Sequence, residues 1–383
     1  MSLAGRQLAS QRATLRGFGQ KVSAPHCRPL ICRRQLSLTA PLARNCTTDA
    51  RLAQDTSGTA PSKHHEKEAI LLQRYKAHDA AITATLVLQD AGDTKEVVTA
   101  SLDKSLALWR LQDASLPDAA PSTSGVSEVV RLSPEVAPIF SLVADSQALG
   151  DSHNQVFCGN LAKSVVAWEP PDSQLIPKVH LNSHTGWVRG LATSRRWLFS
   201  CSCNFLCQWD MARAVPRKVN QVKLFTGDIQ GLCTGRDKVF ACTSKGAIRA
   251  WNIGKKGELS EAGAREKAHK DRVTAILWHK NFLYSISYDG CIKMWDGTNL
   301  ELVMEVKKAH DGQRIQCGAI APDGFLYTGG DDKLVRRWRL GSLMPAEADT
   351  LFCHNYNVRS LSAGRRDLLV SGDSSGEIAI WQV

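Results

Sequence analysis

Short apolar runs with a period of two recur along most of the chain, and many of them end in a tryptophan. In one run, Ile292 and Met294 alternate with Lys293 and Trp295, the spacing that places successive side chains on opposite faces of a β-strand. Seven such runs end in a tryptophan: Trp109, Trp168, Trp209, Trp251, Trp295, Trp338 and Trp381. The pattern predicts an all-β chain built from a repeated unit.

The distances between these tryptophans give the size of the unit. The successive intervals are 59, 41, 42, 44, 43 and 43 residues, and all but the first match a four-stranded blade of about 40–45 residues. A turn that contains a histidine precedes five of the tryptophans: His78, His184, His269, His310 and His354. Residues 66–383 therefore resemble the WD40 repeat family, and the resemblance implies a seven-bladed β-propeller.

The two irregular stretches of this repeat have simple interpretations. Two residues follow Trp381, so the seventh unit has room for three strands at its own end. The resemblance implies that the strand-like segment 66–75 supplies the outer strand of this last blade and covers its open edge. The long first interval contains the Pro-, Ala- and Ser-rich stretch 114–125, which predicts a surface loop between the third and fourth strands of the first blade.

Three units carry the full set of polar residues found in WD40 repeats. In that family a turn histidine, a hydroxyl on the second strand, a hairpin aspartate and the tryptophan of the third strand form a hydrogen-bonded chain, a tetrad. Buried polar groups arranged in this way satisfy one another. The matching sets are His78, Thr99, Asp103 and Trp109; His269, Ser285, Asp289 and Trp295; and His310, Thr328, Asp332 and Trp338.

The other four units depart from this pattern. The position six residues before their tryptophan holds no aspartate but Ala162, Cys203, Lys245 or Ser375. The third unit keeps a turn histidine at His184, and the seventh keeps both His354 and the hydroxyl residue Ser371. These units are assigned mainly from their tryptophans and their length.

A histidine, a hydroxyl and an aspartate also make up a hydrolase triad. Here the set recurs at one register in three units, whereas a catalytic site needs a single nucleophile, so the structural interpretation is favoured. No Gly-rich phosphate-binding or His-Glu-x-x-His motif occurs. We therefore expect no enzymatic activity, no cofactor and no metal.

Three cysteines lie close together at Cys201, Cys203 and Cys207. Zinc sites usually take paired cysteines from turns at a spacing of C-x(2–4)-C, so small buried strand residues are the favoured interpretation. A redox-sensing thiol stays open as an alternative.

The positive charge is concentrated at the start of the chain. The net charge is +11, and residues 1–60 hold nine Lys or Arg against two Asp. No acidic residue occurs between Met1 and Thr48, which is typical of an organelle transit peptide. We predict a disordered targeting segment over residues 1–60, cleaved between about Ala43 and Ala60. The Ser-, Thr-, Ala- and Pro-rich stretch 23–48 favours the chloroplast, and the mitochondrion stays open.

The resemblance implies a protein that binds other proteins, on a top face formed by the histidine turns and the aspartate hairpins. Trp, Tyr and Arg are enriched in binding hot spots, and the candidate residues near these turns are Trp187, Arg272, Tyr288, Arg314 and Asp331. The alternative is that Trp187 packs inward and the arginines are merely solvated. We expect a monomeric propeller that acts within a complex as a scaffold or assembly factor.

Two other functions stay open at this point. An RNA-associated propeller would use basic pairs, of which the chain has Lys255–Lys256, Lys307–Lys308, Arg336–Arg337 and Arg365–Arg366. An enzyme would need a polar site in the central channel. No stretch approaches the roughly 20 consecutive apolar residues of a membrane-spanning helix, so no membrane span is expected.

Overall fold

The computed structural model describes residues 69–88, 95–111, 126–132, 137–144, 155–168, 179–212, 215–224, 227–352, 354–364 and 367–383. The chain divides into two units, residues 1–63 and 64–383, and every described residue belongs to the second. The predicted targeting segment, its cleavage site and the predicted loop 114–125 lie outside the described residues.

The described residues form strands β1 to β28. The first thirteen strands are β1 (Ile70–Lys76), β2 (Ile82–Val87), β3 (Lys95–Ser101), β4 (Leu106–Leu111), β5 (Val126–Leu132), β6 (Ile139–Ala144), β7 (Val156–Asn160), β8 (Ser164–Trp168), β9 (Val179–Asn182), β10 (Val188–Ser194), β11 (Trp197–Ser202), β12 (Phe205–Asp210) and β13 (Arg217–Lys223). The others are β14 (Ile229–Gly235), β15 (Lys238–Thr243), β16 (Ile248–Ile253), β17 (Leu259–Arg265), β18 (Val273–His279), β19 (Phe282–Ser287), β20 (Ile292–Asp296), β21 (Leu302–Val306), β22 (Ile315–Ile320), β23 (Phe325–Gly330), β24 (Val335–Arg339), β25 (Pro345–Leu351), β26 (Val358–Gly364), β27 (Leu368–Asp373) and β28 (Glu377–Gln382).

These strands form seven antiparallel sheets of four strands each. Six sheets, blades 1 to 6, consist of four consecutive strands, from β2–β5 to β22–β25. Blade 7 combines β26, β27 and β28 with β1. The inner strands of neighbouring blades contact one another, and the contact between β26 and β2 closes the circle. The chain is a seven-bladed β-propeller, which confirms the predicted fold class.

Each blade buries both of its faces against its neighbours. On β11, Leu198 and Phe199 point to opposite faces, and both are 0% exposed. Leu198 packs with the blade 2 side chains Phe157 and Val165, and Phe199 packs with Val239 of blade 4. Each side chain buried in this way stabilises the fold by about 1.5–3 kcal/mol. A blade alone would expose these faces, so the sheets need the complete circle.

Every inner strand has a β-bulge just after its first residue. In blade 1 the register shifts between Ile82 and Ala84, and the other six inner strands shift at the equivalent place. A bulge leaves one residue out of the ladder and redirects its side chain. All seven of these residues line the central channel, a cavity of about 480 Å³, and we call them the bulge ring: Thr83, Phe140, Arg189, Gln230, Thr274, Gln316 and Arg359.

The circle closes through β1, which pairs antiparallel with β28 from Ile70 opposite Gln382 to Lys76 opposite Glu377. β1 comprises residues 70–75 of the predicted segment 66–75 and Lys76, and residues 66–68 lie outside the described residues. The Tyr75 ring meets the Trp109 ring edge-on at 5.0 Å between centroids. The strand therefore contributes to the core between blades 7 and 1 as well as covering an edge.

A glycine permits the close contact between the hairpin of blade 7 and the histidine turn of blade 1. Gly376 has a φ of 95°, a backbone conformation that favours glycine. Its carbonyl oxygen accepts the N–H groups of Ala77 and His78, at 2.9 and 3.0 Å. A Cβ atom at this position would lie 2.1 Å from the carbonyl oxygen of His78, so a larger residue would separate the two blades.

We predict that deleting residues 66–76 lowers the melting temperature of the propeller by about 10 °C or more, because the edge of β28 and the Trp109 ring lose their cover. Calorimetry or circular dichroism on the purified protein measures this. A protein without residues 1–60 is the control, and it should melt like the full chain. A deletion variant that melts at the temperature of this control would contradict the prediction.

Candidate functional site

In blades 1, 5 and 6 a buried hydroxyl connects the tryptophan of the third strand to the turn histidine. Trp109 Nε1 donates to Thr99 Oγ1 over 2.8 Å, and this oxygen lies 2.8 Å from Nε2 of His78. The hydroxyl hydrogen is then available to Nε2, which leaves the imidazole proton on Nδ1, 3.1 Å from Asp103 Oδ2. Equivalent contacts join the other two predicted sets: His269, Ser285, Asp289 and Trp295; and His310, Thr328, Asp332 and Trp338.

The hairpin carboxylates of these sets are held in their charged form. Burial by itself would raise the pKa of Asp332, but the hydrogen bond from His310 and the nearby positive charge lower it below its ordinary value. The balance is the same for Asp289. The hydroxyl residues Thr99, Ser285 and Thr328 are 0% exposed. Each polar group is therefore used inside the blade, where it orders the top turns.

Blade 7 has a tetrad that the fixed spacing missed. The sequence placed Ser375 at the aspartate position, but the carboxylate comes from Asp373, two residues earlier, with Oδ2 3.1 Å from Nδ1 of His354. The other carboxylate oxygen of Asp373 accepts hydrogen bonds from the backbone N–H and the hydroxyl of Ser375. His354 Nε2 lies 2.7 Å from Ser371 Oγ, which accepts a 3.0 Å hydrogen bond from Trp381 Nε1.

Blade 3 forms the same chain without an aspartate. Its hydroxyl is Ser200, nine residues before Trp209 rather than ten, and Ser200 Oγ lies 2.7 Å from both Nε2 of His184 and Nε1 of Trp209. The sulfur of Cys207 lies 4.0 Å from Nδ1 of His184. Burial, with a smaller effect of the Lys218 charge, lowers the pKa of His184 to about 4.

The three clustered cysteines occupy different positions. Cys201 and Cys207 are buried on β11 and β12, and Cys203 is half-buried in the hairpin between them. Burial raises the pKa of Cys207 to about 11 and that of Cys201 above its ordinary value, so both are thiols at neutral pH. Among the described residues, no three His, Cys, Asp or Glu side chains are grouped so as to hold a metal ion.

We predict that His184 makes the propeller less stable as the pH falls from 6.5 to about 4. The unfolded chain binds a proton at His184 over this range and the folded chain does not, so the loss reaches about 3 kcal/mol below pH 4. In His184→Gln, urea unfolding at pH 7.5 and 4.5 should show a smaller difference in unfolding free energy than in the wild type. An equal difference would be inconsistent with a neutral buried imidazole.

We predict that Asp373 also makes the stability of the propeller depend on pH, but in a more acidic range than His184 does. Burial would raise the pKa of Asp373, but the hydrogen bonds from His354 and Ser375 lower it to about 2. Its stabilisation is complete above the unfolded pKa of about 3.9 and is lost towards pH 2, a total of about 2–3 kcal/mol. Asp373→Asn should remove this dependence and leave the His184 dependence between pH 6.5 and 4 unchanged. Acid titrations followed by tryptophan fluorescence measure both.

The histidine turns and the hairpins lie on one side of the disc, the top face. Backbone hydrogen bonds join them: the N–H of Tyr288 donates to the carbonyl of Arg272, and that of Asp331 to the carbonyl of Arg314, both over 2.9 Å. The top face surrounds the mouth of the central channel, because Arg272 and Tyr288 also line the cavity.

Four of the five candidate binding residues form one cluster on blades 5 and 6. The guanidinium carbons of Arg272 and Arg314 lie 5.5 and 5.3 Å from the centre of the Tyr288 ring, a distance that allows cation–π attraction. The Tyr288 hydroxyl donates to Oε1 of Gln316 over 2.9 Å, and Nε2 of Gln316 donates to Asp331 over 2.8 Å. Side-chain contacts thus fix the cluster before any partner binds.

Trp187 belongs to a second cluster, on blades 2 and 3. Its ring stacks on Phe140 at 5.6 Å with an angle of 9° between the planes. The guanidinium carbon of Arg189 lies 4.9 Å from the Trp187 ring and 5.6 Å from the Phe140 ring. Trp187 is 46% exposed, so it is presented on the surface rather than packed inward.

Sequence reasoning missed several residues of the mouth. Asn357 Nδ2 donates to Asp331 over 2.9 Å, and Arg359 Nη1 to Gln316 over 3.3 Å, which extends the first cluster to blade 7. Phe140 and Arg189 complete the second. No motif marks these residues. Their position in the repeat could have identified them, because each directly follows the apolar residue that begins an inner strand. This holds for Phe140, Arg189, Gln316 and Arg359.

Comparisons with known proteins agree with this fold. The family model described as "WD domain, G-beta repeat" matches residues 264–296, which contain three strands of blade 5 and its tetrad histidine. The crystal structure of the WD40 β-propeller domain of Doa1 superposes with a TM-score of 0.65 at 16% identity, and the match covers 82% of this chain and 96% of that one. One blade thus matches the WD40 repeat model, and the chain has the fold of a WD40 propeller, which confirms the predicted resemblance to this family.

Curated relatives share only part of their length with this chain. Telomerase protein component 1 of Rattus norvegicus is 25% identical over 309 residues, which cover 75% of this chain and 11% of that protein. Zinc finger CCCH domain-containing protein 17 of Oryza sativa subsp. japonica is 21% identical over 282 residues, 61% of this chain and 62% of that protein. The described part of this chain contains no helix of the length and apolar character needed to cross a bilayer.

Proposed function

We propose that this propeller is a non-catalytic scaffold or assembly factor that binds proteins on its top face, within an organelle. The observation that supports binding is the pair of clusters at the mouth, which place Trp187, Arg272 and Tyr288 at the surface in fixed positions. Residues of these types, held before binding, lose little conformational entropy in a complex.

The tetrads support the non-catalytic part of the proposal. Their hydroxyls are buried and engaged on both sides, by an indole N–H and an imidazole, so a substrate has no access to them. The organelle rests on the composition of residues 1–48, which hold basic but no acidic residues. The chloroplast is our first proposal and the mitochondrion the second.

An RNA-associated role is the weaker proposal, although one relative is named as a telomerase component. One of the basic pairs in the sequence, Arg336–Arg337, is engaged within the propeller. Arg336 forms ion pairs with Asp311 and Asp332, and Arg337 is 2% exposed. Lys307 lies 3.4 Å from Glu305, and Arg365–Arg366 lie outside the described residues. These contacts reduce the basic surface that the pairs offer to a polyanion.

The proposal predicts that Trp187→Ala combined with Arg272→Ala weakens partner binding at least about tenfold, because both surface clusters lose an anchor. The tagged full chain is purified from isolated chloroplasts and from mitochondria, and bound proteins are quantified by mass spectrometry. Partners should be recovered with the wild type from one organelle and lost with the double variant.

Arg217→Ala combined with Val219→Ala is the matched control, since it also removes one arginine and one exposed apolar side chain but on the outer strand β13. It should retain the partners. Partners that remain bound to the Trp187 and Arg272 variant, or recovery of the chain from neither organelle, would refute the proposal.

A further inference from the structure

The arginines at the channel mouth differ from most other described arginines in their partners. Away from the mouth, ion pairs with carboxylates are common, as for Arg74, Arg110, Arg131, Arg195, Arg196, Arg249 and Arg336. Within the described residues, Arg189, Arg272, Arg314 and Arg359 have no carboxylate within ion-pair distance. They contact aromatic rings or a neutral amide instead.

Three of these guanidinium groups converge on one cavity. Arg189, Arg272 and Arg359 come from blades 3, 5 and 7, and all three line the channel mouth. Burial and the neighbouring charge of Arg272 lower the pKa of Arg189, so these two cations act on each other across the blades. Like charges that are held close together have an electrostatic cost in the empty protein, which an anion would relieve.

The acidic groups near the mouth leave this positive charge largely uncompensated. Asp331 already accepts hydrogen bonds from Gln316 and Asn357, and its side chain is turned to these amides. Asp228 acts on Arg189 in the favourable direction, but more weakly than Arg272 acts against it. Among the described residues, the guanidinium groups of Arg189, Arg272 and Arg359 are therefore fixed donors that form no ion pair with a carboxylate.

The aromatic residues of the mouth favour a peptide over a nucleic acid. Trp187 stacks on Phe140, and Tyr288 has two guanidinium groups near its ring. Bases bind single-strand proteins by stacking on free aromatic faces, and here Phe140 covers one face of Trp187 while two guanidinium groups lie near the Tyr288 ring. The exposed part of Trp187, with Leu102 and Tyr356 at 43% and 55% exposure, instead offers apolar contacts beside the cations.

We propose that the channel mouth binds an acidic peptide segment, with Arg189, Arg272 and Arg359 holding Asp or Glu carboxylates and the surrounding exposed apolar side chains holding its apolar residues. This inference rests on the proposed top-face function and specifies the chemistry of the partner. Guanidinium groups form charge-assisted hydrogen bonds with carboxylates, and the aromatic contacts of Arg189 and Arg272 fix their orientation beforehand.

A random peptide library displayed on phage and selected against the full chain tests this. Recovered peptides should be enriched in Asp and Glu next to apolar residues. A recovered peptide, made synthetically, should bind Arg189→Gln combined with Arg359→Gln at least about tenfold more weakly than the wild type. Both substitutions keep hydrogen-bonding amides, and melting curves check that the double variant is folded.

Arg217→Gln combined with Arg236→Gln removes the same charge away from the mouth and should bind the peptide like the wild type. The same peptide with Gln in place of its acidic residues should lose binding. Selection without acidic enrichment, equal binding by the mouth and control variants, or recovery of no peptide would overturn the inference. Binding of oligouridine RNA that is lost in the mouth variant and exceeds peptide binding would also overturn it.

Two outcomes separate this inference from the proposed function. Peptides that carry no acidic residues but lose binding in Trp187→Ala would leave the top face as a protein-binding surface and refute only the acidic partner. Peptides that bind Trp187→Ala combined with Arg272→Ala as well as the wild type would refute both.

Discussion

The structure depends on closing a circle of sheets, none of which can bury its faces alone. β11 shows the constraint: Leu198 and Phe199 face opposite neighbours, and both need a blade beside them. Closure is made by the pairing of β1 with β28, which joins sequence positions about 300 residues apart in one sheet. Polar bridges reinforce it between inner strands, as where Thr274 Oγ1 donates to the carbonyl of Ile315 in the next blade over 2.9 Å.

The polar chains of the top face tolerate more variation than their family pattern implies. Five blades share a hydroxyl that lies between an indole and an imidazole. The aspartate comes from one of two positions in the hairpin, and in blade 3 it is absent. Asp373 reaches His354 because the hairpin turns its side chain towards the same imidazole nitrogen. In blade 3 the missing carboxylate leaves His184 neutral and with a low pKa. The hydroxyl link is therefore the feature that these five blades of the chain have in common.

The sequence predicted the fold well and the mouth only in part. Tryptophan spacing reflects the length of a blade, which backbone geometry restricts, so Trp251 and Trp168 identified blades that have no turn histidine. Three tetrads followed from spacing. Ser200 did not, because the hairpin of blade 3 is one residue shorter than that of blade 1. Asp373 did not, because it lies two residues before the expected position in a hairpin of the usual length. Gln316 and Arg359 carry no motif. These two residues meet because closing the circle of blades brings positions of separate blades to the mouth of the channel. A local sequence pattern holds no information on such contacts between blades.

The residues of the bulge ring face the channel, where a ligand would bind, whereas other residues hold the blades together. Since a bulged residue takes no part in the ladder and its side chain faces the channel, most of these positions can change without repacking the interfaces between blades. Thr83 and Thr274 are exceptions, because their hydroxyls bridge to the adjacent blade. Substitution of the others would let a chain of this architecture acquire a new ligand by altering one short rim, while the tryptophans and the sheet faces stay as they are.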